Sequence, residues 1–297
     1  MARGDGGMRK KLMLEAPAKV NLFLAVGGRR PDGYHEVLTL LQAVELCDLI
    51  VVELSSSTRI ELEVEGDVPR DEGNLCLRAA RVFQERIGRG LGARIGLRKR
   101  IPVGAGLGGG SSDAAAVLLG LNLLLGEPLK REELEGAAAE LGSDVPFFLR
   151  GGTAVAEGRG ERVRGLSPAE EIWVLLLNPG FALSTADVYR EFDRLNPSPL
   201  PPGILPRGLV RGLEKGDLEE VGDHIRNDLI EAALRLAPGL GSLLEKLGRE
   251  GPGGMSGSGP TLFLLSRDEE ALVRTGIKMA FPWSSVARFR EKGVAPL

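Results

Sequence analysis

The chain has 297 residues, and its 38 Lys and Arg against 41 Asp and Glu give a formal charge of −3 at pH 7. Apolar residues make up 43% and charged residues 27%, which is normal for a globular protein and excludes wholesale disorder. There is no basic excess, so nucleic acid and anionic membranes are not expected as partners. Two cysteines, Cys47 and Cys76, cannot build a disulfide framework, which favours a reducing cytoplasm.

Neither a membrane span nor a leader is predicted. The longest apolar stretch, residues 114–125, is shorter than a transmembrane helix and is interrupted by Gly120 and Asn122. The N-terminal residues MARGDGGMRKK do not lead into the apolar segment and small-residue cleavage site of a signal peptide. We therefore expect a cytoplasmic protein.

Predicted strands open the first half of the chain. Residues 20–26 alternate between two faces, and a turn at residues 30–33 separates them from the next apolar run. Three further strands are predicted at residues 37–44, 49–54 and 60–65, and alternating glutamates give the last of them one solvent-exposed face.

Helices then alternate irregularly with strands. The predicted elements are, in chain order, helix 75–87, strand 93–97, helix 111–125, helix 134–141 and strand 153–157. Asn74 is placed to cap the first of these helices, and Gly142 can end the third. The helix that begins at Ser111 is apolar nearly all round, which predicts that it is buried at the centre of the fold.

A domain boundary is expected near residues 158–168, where turn formers and charges replace periodic apolar residues, and this gives domains at 1–160 and 161–297. The second half is predicted to contain a strand at 172–177, a Pro-rich loop at 196–206, short helices between 209 and 247, a strand at 261–265, a helix at 269–279 and a strand at 285–289. Because strands and helices do not alternate regularly, the pattern predicts the α+β class rather than a doubly wound parallel sheet.

Glycine is the one unusual residue type, at 42 of 297, roughly twice its ordinary usage. The glycines cluster at residues 104–110 and 251–259, and such clusters between periodic segments indicate that backbone approaches a ligand. The first cluster lies in PVGAGLGGGSSDAAA at residues 102–116. Converging N–H groups next to a helix N-terminus indicate a polyphosphate site there.

The glycine loop can also be compared with a flexible loop and with two other phosphate-binding motifs. A flexible loop capped by Ser111 is the plainer alternative. The Walker A motif is absent, because Gly110 and not a lysine precedes Ser111. Residues 104–109 satisfy the dinucleotide-binding pattern formally, but no acidic residue ends a following strand, as that pattern requires.

Two further segments contain candidate functional residues. Lys19 and Asn21 lie on one face of an otherwise apolar strand, where a lysine either extends to solvent or meets an anion. Asp144 stands before Val145 and Pro146, which is typical of a helix N-cap, although a carboxylate fixed at a helix start could also be functional. With two histidines, of which His35 is expected at the surface, the chain has little material for a zinc site or a Ser-His-Asp triad.

Taken together, five segments resemble the GHMP kinases, and they occur in the order found in that superfamily. They are APAKVNLFL at residues 16–24, RPDGYHE at 30–36, PVGAGLGGGSSDAA at 102–115, LGSDVPFF at 141–148 and MSGSGP at 255–260. The first, second and fourth segments are most similar to the branch that phosphorylates a cytidine-diphosphate-linked methylerythritol.

The resemblance implies a fold and an activity. The expected fold has an N-terminal domain like the second domain of ribosomal protein S5 and a ferredoxin-like C-terminal domain. The expected reaction transfers the γ-phosphoryl group of ATP, with Mg²⁺, to a tertiary hydroxyl of this small-molecule substrate. The protein is expected to be a monomer or a homodimer.

The resemblance also implies roles for individual residues. Asp144 matches the catalytic aspartate, and Lys19 the lysine beside the reacting hydroxyl. The residues matching the ATP-phosphate loop are Pro102, Val103, Gly104, Ala105, Gly106, Leu107, Gly108, Gly109, Gly110, Ser111 and Ser112, of which Ser112 is also a candidate Mg²⁺ ligand. Adenosine contacts are implied for Asn74 and Lys99, and a substrate contact for Asn21. The resemblance further implies that aromatic side chains at Tyr34, His35 and Tyr189 sandwich the cytosine base, and that residues 257–259 form a second glycine loop.

Three alternatives to this interpretation are a related kinase, a binding module and an oxidoreductase. The first is a related GHMP kinase that acts on mevalonate, homoserine or a sugar. These substrates carry no base on which Tyr34 and His35 could stack, which argues against this alternative. A non-catalytic nucleotide-binding module would need neither Lys19 nor Asp144. An NAD-dependent oxidoreductase is more remote, because the dinucleotide motif lacks its structural context.

Overall fold

The computed structural model describes residues 11–198 and 201–297. The first ten residues, from which no signal peptide was predicted, and two residues of the Pro-rich loop lie outside the described residues. The strands are β1 (Lys11–Arg29), β2 (His35–Ser55), β3 (Ile60–Glu65), β4 (Gly92–Arg98), β5 (Thr153–Gly158), β6 (Arg162–Gly165), β7 (Trp173–Asn178), β8 (Arg226–Asn227), β9 (Gly253–Met255), β10 (Leu262–Ser266), β11 (Trp283–Arg288) and β12 (Ala295–Pro296). The helices are α1 (Leu75–Ile87), α2 (Gly109–Leu124), α3 (Arg131–Leu141), α4 (Val145–Arg150), α5 (Thr185–Leu195), α6 (Arg207–Lys215), α7 (Leu218–Gly222), α8 (Ile230–Leu236), α9 (Gly239–Gly248) and α10 (Glu269–Met279).

The larger sheet is built on the long antiparallel pair of β1 and β2. Its strand order is β12-β1-β2-β4-β3, with β5 pairing the first half of β2, β6 pairing β5 and β8 pairing β1. The second edge of β1 is therefore covered by two short strands from the C-terminal half of the chain.

The smaller sheet has the order β11-β7-β10-β9, and all its pairs are antiparallel. One cluster of buried side chains joins the two sheets: Val20 and Leu22 of β1 belong to it together with Leu176 of β7 and Phe263 of β10. Burial of apolar area between the sheets, roughly 25 cal/mol per Å², therefore fixes the position of one sheet on the other.

Helix α2 is buried at the centre, as predicted. Its side chains from Ala114 to Leu118 are inaccessible to solvent, and it packs on β1, β2, α1 and α4. The prediction that it begins at Ser111 is wrong, because the helix begins at Gly109 after Gly108, whose φ of +72° suits glycine. Ser111 therefore does not cap it, and the glycines themselves form its first turn.

The predicted strands at 37–44 and 49–54 are one strand, β2, and their separation is wrong. Between Pro17 and Ala18 the register on β2 shifts from Cys47 to Val44, which leaves two residues of β2 in a bulge. Pro17 has no N–H for the ladder, so an irregularity there costs little hydrogen bonding.

The remaining predictions of local structure agree well with the fold, and the α+β class is confirmed. Asn74 accepts the Cys76 N–H as the cap of α1, and Gly142 follows the last residue of α3. Helix α5 and the strands β6, β8, β9 and β12 were not predicted. No helix within the described ranges is long and apolar enough to cross a membrane. The domain boundary near residue 160 stays a prediction.

Candidate active site

A cleft of about 1160 Å³ brings together residues that are far apart in the sequence. The predicted site residues that line it are Lys19, Asn21, Tyr34, His35, Asn74, Lys99, Pro102, Val103, Gly104, Ala105, Gly106, Gly108, Gly109, Gly110, Ser111, Asp144, Tyr189 and Gly257. Leu107 and Ser112 do not line it, because the Leu107 side chain packs in the core and Ser112 is fully buried. The other predicted residues therefore share one cavity.

The first glycine loop connects β4 to α2 and lies against β1. The Lys19 N–H donates to the Leu107 carbonyl at 3.0 Å, so the loop backbone is fastened to the strand. At Gly106, φ is +75° and a Cβ would lie 2.2 Å from the Ser256 carbonyl oxygen of the second glycine loop. Only glycine allows the two loops to approach this closely.

The N-terminus of α2 points its dipole at this cleft. The first N–H groups of a helix have no partner within the helix, and they carry a partial positive charge. Gly109, Gly110 and Ser111, which form the first turn of α2, line the cleft. The arrangement is suited to binding a phosphate group.

Lys19 is 3% exposed, and its ammonium group is held by three oxygens. Nζ donates to Asn21 Oδ1 at 2.5 Å and to the Gly106 carbonyl at 2.8 Å, and it lies 3.7 Å from Asp144 Oδ2. Desolvation by burial lowers the pKa of Lys19 below its ordinary value, while the nearby Asp144 carboxylate acts in the opposite direction. Lysine and aspartate therefore face each other beside the glycine loop.

Asp144 occupies the residue before α4, as predicted, but the predicted capping hydrogen bond is wrong. Its φ and ψ of −81° and −15° are helical, whereas a capping residue is normally extended so that its side chain reaches the first N–H groups. The carboxylate is instead 37% exposed and lines the cleft. It is free to accept a proton or a hydrogen bond from a ligand.

Asn21 is oriented by residues that the sequence did not single out. Its Nδ2 donates to Thr39 Oγ1 at 2.9 Å, and Thr39 in turn donates to the Phe23 carbonyl. Ser256 Oγ donates to the Gly106 carbonyl at 2.9 Å and accepts the Asn21 N–H at 3.3 Å. These bonds leave Asn21 Oδ1 directed at the Lys19 ammonium.

Asn227 of β8 holds the second glycine loop in place. Its Nδ2 donates to the carbonyls of Met255 and Gly257, each at 2.8 Å, and its Oδ1 accepts the Leu229 N–H. A Cβ at Gly257 would lie 3.1 Å from Lys19 Nζ, so the loop packs directly over the ammonium group. Ser256 lies within the MSGSGP motif, but Asn227 carried no local sequence signal, because its partners are distant in the chain.

The aromatic residues lie at the other end of the cleft. His35 is 7% exposed, so its expected surface position is wrong. Its ring lies 4.9 Å from that of Tyr189 between centroids, and Nε2 is 2.6 Å from Asp193 Oδ1. Because the His35 and Tyr189 rings already contact each other, a cytosine base cannot be stacked between these two side chains. Tyr34 is 49% exposed, with the Arg159 guanidinium 4.8 Å from its ring centroid.

The side chains predicted to contact adenosine already have protein partners. Asn74 Oδ1 accepts the Cys76 N–H, and its Nδ2 donates to the Pro69 carbonyl. The Lys99 ammonium forms ion pairs with Asp48 and Asp113. Both residues line the cleft, but these bonds engage the polar ends of their side chains with other parts of the protein.

Comparison with known proteins adds independent evidence. Models of the GHMP kinases N terminal domain and the GHMP kinases C terminal region match residues 74–152 and 209–276. A protein of Rhodococcus jostii (strain RHA1), named 4-diphosphocytidyl-2-C-methyl-D-erythritol kinase, is 44% identical over 91% of this chain and 89% of its own length. A crystal structure of 4-(cytidine 5'-diphospho)-2C-methyl-D-erythritol kinase is 36% identical, with a TM-score of 0.78 over 94% of this chain and 99% of that chain. A homoserine kinase from Cytophaga hutchinsonii ATCC 33406 superposes over the full length of both chains with a TM-score of 0.75, but at 23% identity it shares the fold alone.

Replacing Gly106 tests the contact between the two glycine loops. We expect Gly106→Ala to weaken ADP binding strongly, because the new Cβ would overlap the Ser256 carbonyl and push the loops apart. Gly88→Ala is the matched control, since Gly88 also has a positive φ (+64°) but a Cβ there would have no neighbour within 4 Å. Calorimetric titration of ADP into both variants checks this, and equal affinity in the two would contradict the packing described.

Proposed function

The chain belongs to the GHMP kinases, in the family of the 4-diphosphocytidyl-2-C-methyl-D-erythritol kinases, and we propose how its residues carry out that reaction. The GHMP kinase fold predicted from the motifs is confirmed. The protein is an ATP-dependent phosphotransferase with an alcohol group as acceptor. Its reaction phosphorylates the C2 hydroxyl of 4-diphosphocytidyl-2-C-methyl-D-erythritol in the non-mevalonate route to isoprenoid precursors, and it releases ADP.

The proposed ATP site is the first glycine loop with the N-terminus of α2. Backbone N–H groups of residues 104–111 would bind the phosphates, with the α2 dipole favouring their negative charge. Because Lys19 Nζ is 2.8 Å from the Gly106 carbonyl, a γ-phosphate in this loop would lie beside the ammonium group. Phosphoryl transfer depends mainly on such positioning and charge stabilisation.

The proposed acceptor site lies between Lys19 and Asp144. The Asp144 carboxylate would accept the hydroxyl proton, and in a loose transition state this transfer occurs late, so an ordinary carboxylate suffices. The Lys19 ammonium, 3.7 Å from Asp144 Oδ2, would stabilise the developing alkoxide. The phosphoryl group passes directly between oxygens, and no covalent bond to the protein forms.

Mg²⁺ is proposed to enter with ATP. Ser112 Oγ is buried without a hydrogen-bond partner, which fits a hydroxyl that is reserved for a ligand, and α2 positions it next to the loop. Among the described residues, no group of three or more His, Cys, Asp and Glu side chains could hold a metal. This fits Mg²⁺, which commonly keeps few protein ligands and binds mainly through substrate phosphates. When bound, the ion would neutralise phosphate charge. Because Ser112 Oγ has no exposed surface and does not line the cleft, Ser112 would hold the ion only after the first turn of α2 opens toward the phosphates.

The cytidine end of the substrate is proposed to bind at Tyr34, His35 and Tyr189. Since His35 and Tyr189 contact each other, the base would lie against the outer face of this pair or against Tyr34 rather than between them. Asn21, 2.5 Å from the Lys19 ammonium, would contact the erythritol unit. The observation that supports the assignment best is the convergence of Lys19, Asp144 and Gly106 in one cleft.

A substrate comparison tests this function. In a coupled assay of ADP release, we expect turnover with 4-diphosphocytidyl-2-C-methyl-D-erythritol and none above background with mevalonate or homoserine, because the last two carry no base for Tyr34 to contact. Preferred turnover of mevalonate would assign the chain to another GHMP activity. Binding of ATP without turnover of any of the three would instead indicate a nucleotide-binding module.

Asp144→Asn separates catalysis from binding. We expect kcat to fall by about 10²- to 10⁴-fold, because the amide cannot accept the hydroxyl proton, while ADP affinity is retained. The assay of ADP release measures the first, and calorimetric titration the second. Asp223→Asn, at an exposed position outside the cleft, is the control and should keep full activity. Unchanged turnover in Asp144→Asn would exclude the proposed role.

The pH dependence of kcat reports on Lys19. Burial lowers the pKa of Lys19 from its ordinary value of 10.5, so the ammonium loses its proton at a lower pH than an exposed lysine would. Loss of the positive charge removes stabilisation of the alkoxide, and we expect kcat to fall with rising pH before 10.5 is reached. Thermal unfolding at each pH separates this fall from loss of the fold. A kcat that stays level up to pH 10.5 would contradict the role of the ammonium group.

A further inference from the structure

We propose that Asp48, Lys99 and Asp113, which form a buried charged cluster beneath the first glycine loop, position that loop for ATP by fastening its two ends together. The proposal rests on the proposed function, because it assigns the loop to ATP. The three side chains are at most 8% exposed, and the reaction proposed above uses none of their charges. They are therefore positioning residues.

Asp48 fastens the first end of the loop. It lies in β2 with no exposed surface, and its Oδ1 accepts the N–H of Ile101 at 2.9 Å and that of Arg100. Its Oδ2 accepts from the Lys99 ammonium. The chain leaving β4 is thus held to the large sheet immediately before the loop begins at Pro102.

The Lys99 ammonium joins this end to the other. Besides Asp48, it donates to Asp113 Oδ2 at 2.8 Å, and Asp113 lies near the start of α2, fourteen residues further along the chain. A Cβ at Gly109 would lie 3.0 Å from Lys99 Nζ, so the ammonium sits directly under the first turn of α2. The two ends of the loop between Lys99 and Asp113 are therefore linked by the hydrogen bond between these two residues.

The charges of the cluster argue for positioning rather than for attraction of phosphate. Burial raises the pKa of Asp113 to about 8, so Asp48, Lys99 and a largely protonated Asp113 carry no net positive charge that would attract a polyanion. Nor is stability a sufficient reason, because a buried ion pair often contributes no more than apolar residues of similar volume. Asp113 Oδ1 is moreover buried without a partner, which costs free energy. The cluster instead fixes the distance between the two ends of the loop. The N–H groups of the loop are therefore already directed toward one point before ATP binds.

Asp113→Ala and Asp113→Asn test the tie. Alanine removes the link to α2 but leaves Lys99 and Asp48 as a balanced pair, whereas the asparagine oxygen can still accept from the ammonium. We expect Asp113→Ala to raise the Kd for ADP and the KM for ATP at least tenfold, with the KM for the cytidyl substrate changed less than twofold. Asp113→Asn should stay within about threefold of the unmodified protein on all three measures.

Lys278→Met is the matched control, since Lys278 forms an ion pair at 2.6 Å with Glu250 outside the cleft. It should change none of these constants. If Asp113→Ala does not fold, as judged by thermal unfolding, Asp113→Leu removes the same acceptor while filling a similar volume, leaves Lys99 paired with Asp48, and should cause the same loss of ADP affinity.

Two outcomes would overturn the proposal. One is ADP affinity within threefold of the unmodified protein when the link between Lys99 and Asp113 is cut. The other is an equal rise in both KM values with a lowered melting temperature, which would mean general destabilisation. Calorimetric titration of ADP does not depend on turnover, so an unmodified protein that binds ADP but does not phosphorylate the cytidyl substrate would contradict the proposed function and leave this test intact.

Discussion

The burial of one ammonium group, that of Lys19, is the constraint on which the site depends. A cation removed from water must be surrounded by oxygens, because an uncompensated buried charge costs several kcal/mol or more. The oxygens come from β1 itself through Asn21, from the first glycine loop through Gly106, and from the start of α4 through Asp144. Satisfying one charge thus draws three distant segments to a single point.

The glycines make this arrangement sterically possible. A side chain at Gly106 would meet the second loop, and one at Gly108 would meet Phe148 at 2.7 Å. The surface of the loops therefore consists of backbone, which is compact and rich in N–H donors. Side chains at these positions would occupy the space that a ligand needs. Such close approaches account for glycines within the two loops.

Elements defined by local periodicity could be predicted from the sequence, and those defined by distant pairing could not. Helix α1 and its Asn74 cap, and the buried character of α2, follow from spacing that lies within a few residues. β8 and β12 are two residues each and exist only because β1 offers them an edge. In the site, the motifs indicated Lys19 and Asp144, but Asn227 and the partners of Lys99 depend on contacts that no local pattern records.

The pairing of β12 with β1 joins the last strand of the chain to the first. On a translating ribosome, β1 emerges early, yet the partners on its second edge, β8 and β12, are made much later. An open strand edge is a place where chains associate wrongly. Until residues 295–296 pair with it, the stretch of β1 at Leu14 and Glu15 has no partner on this edge, and removing those two residues would leave that stretch open to association.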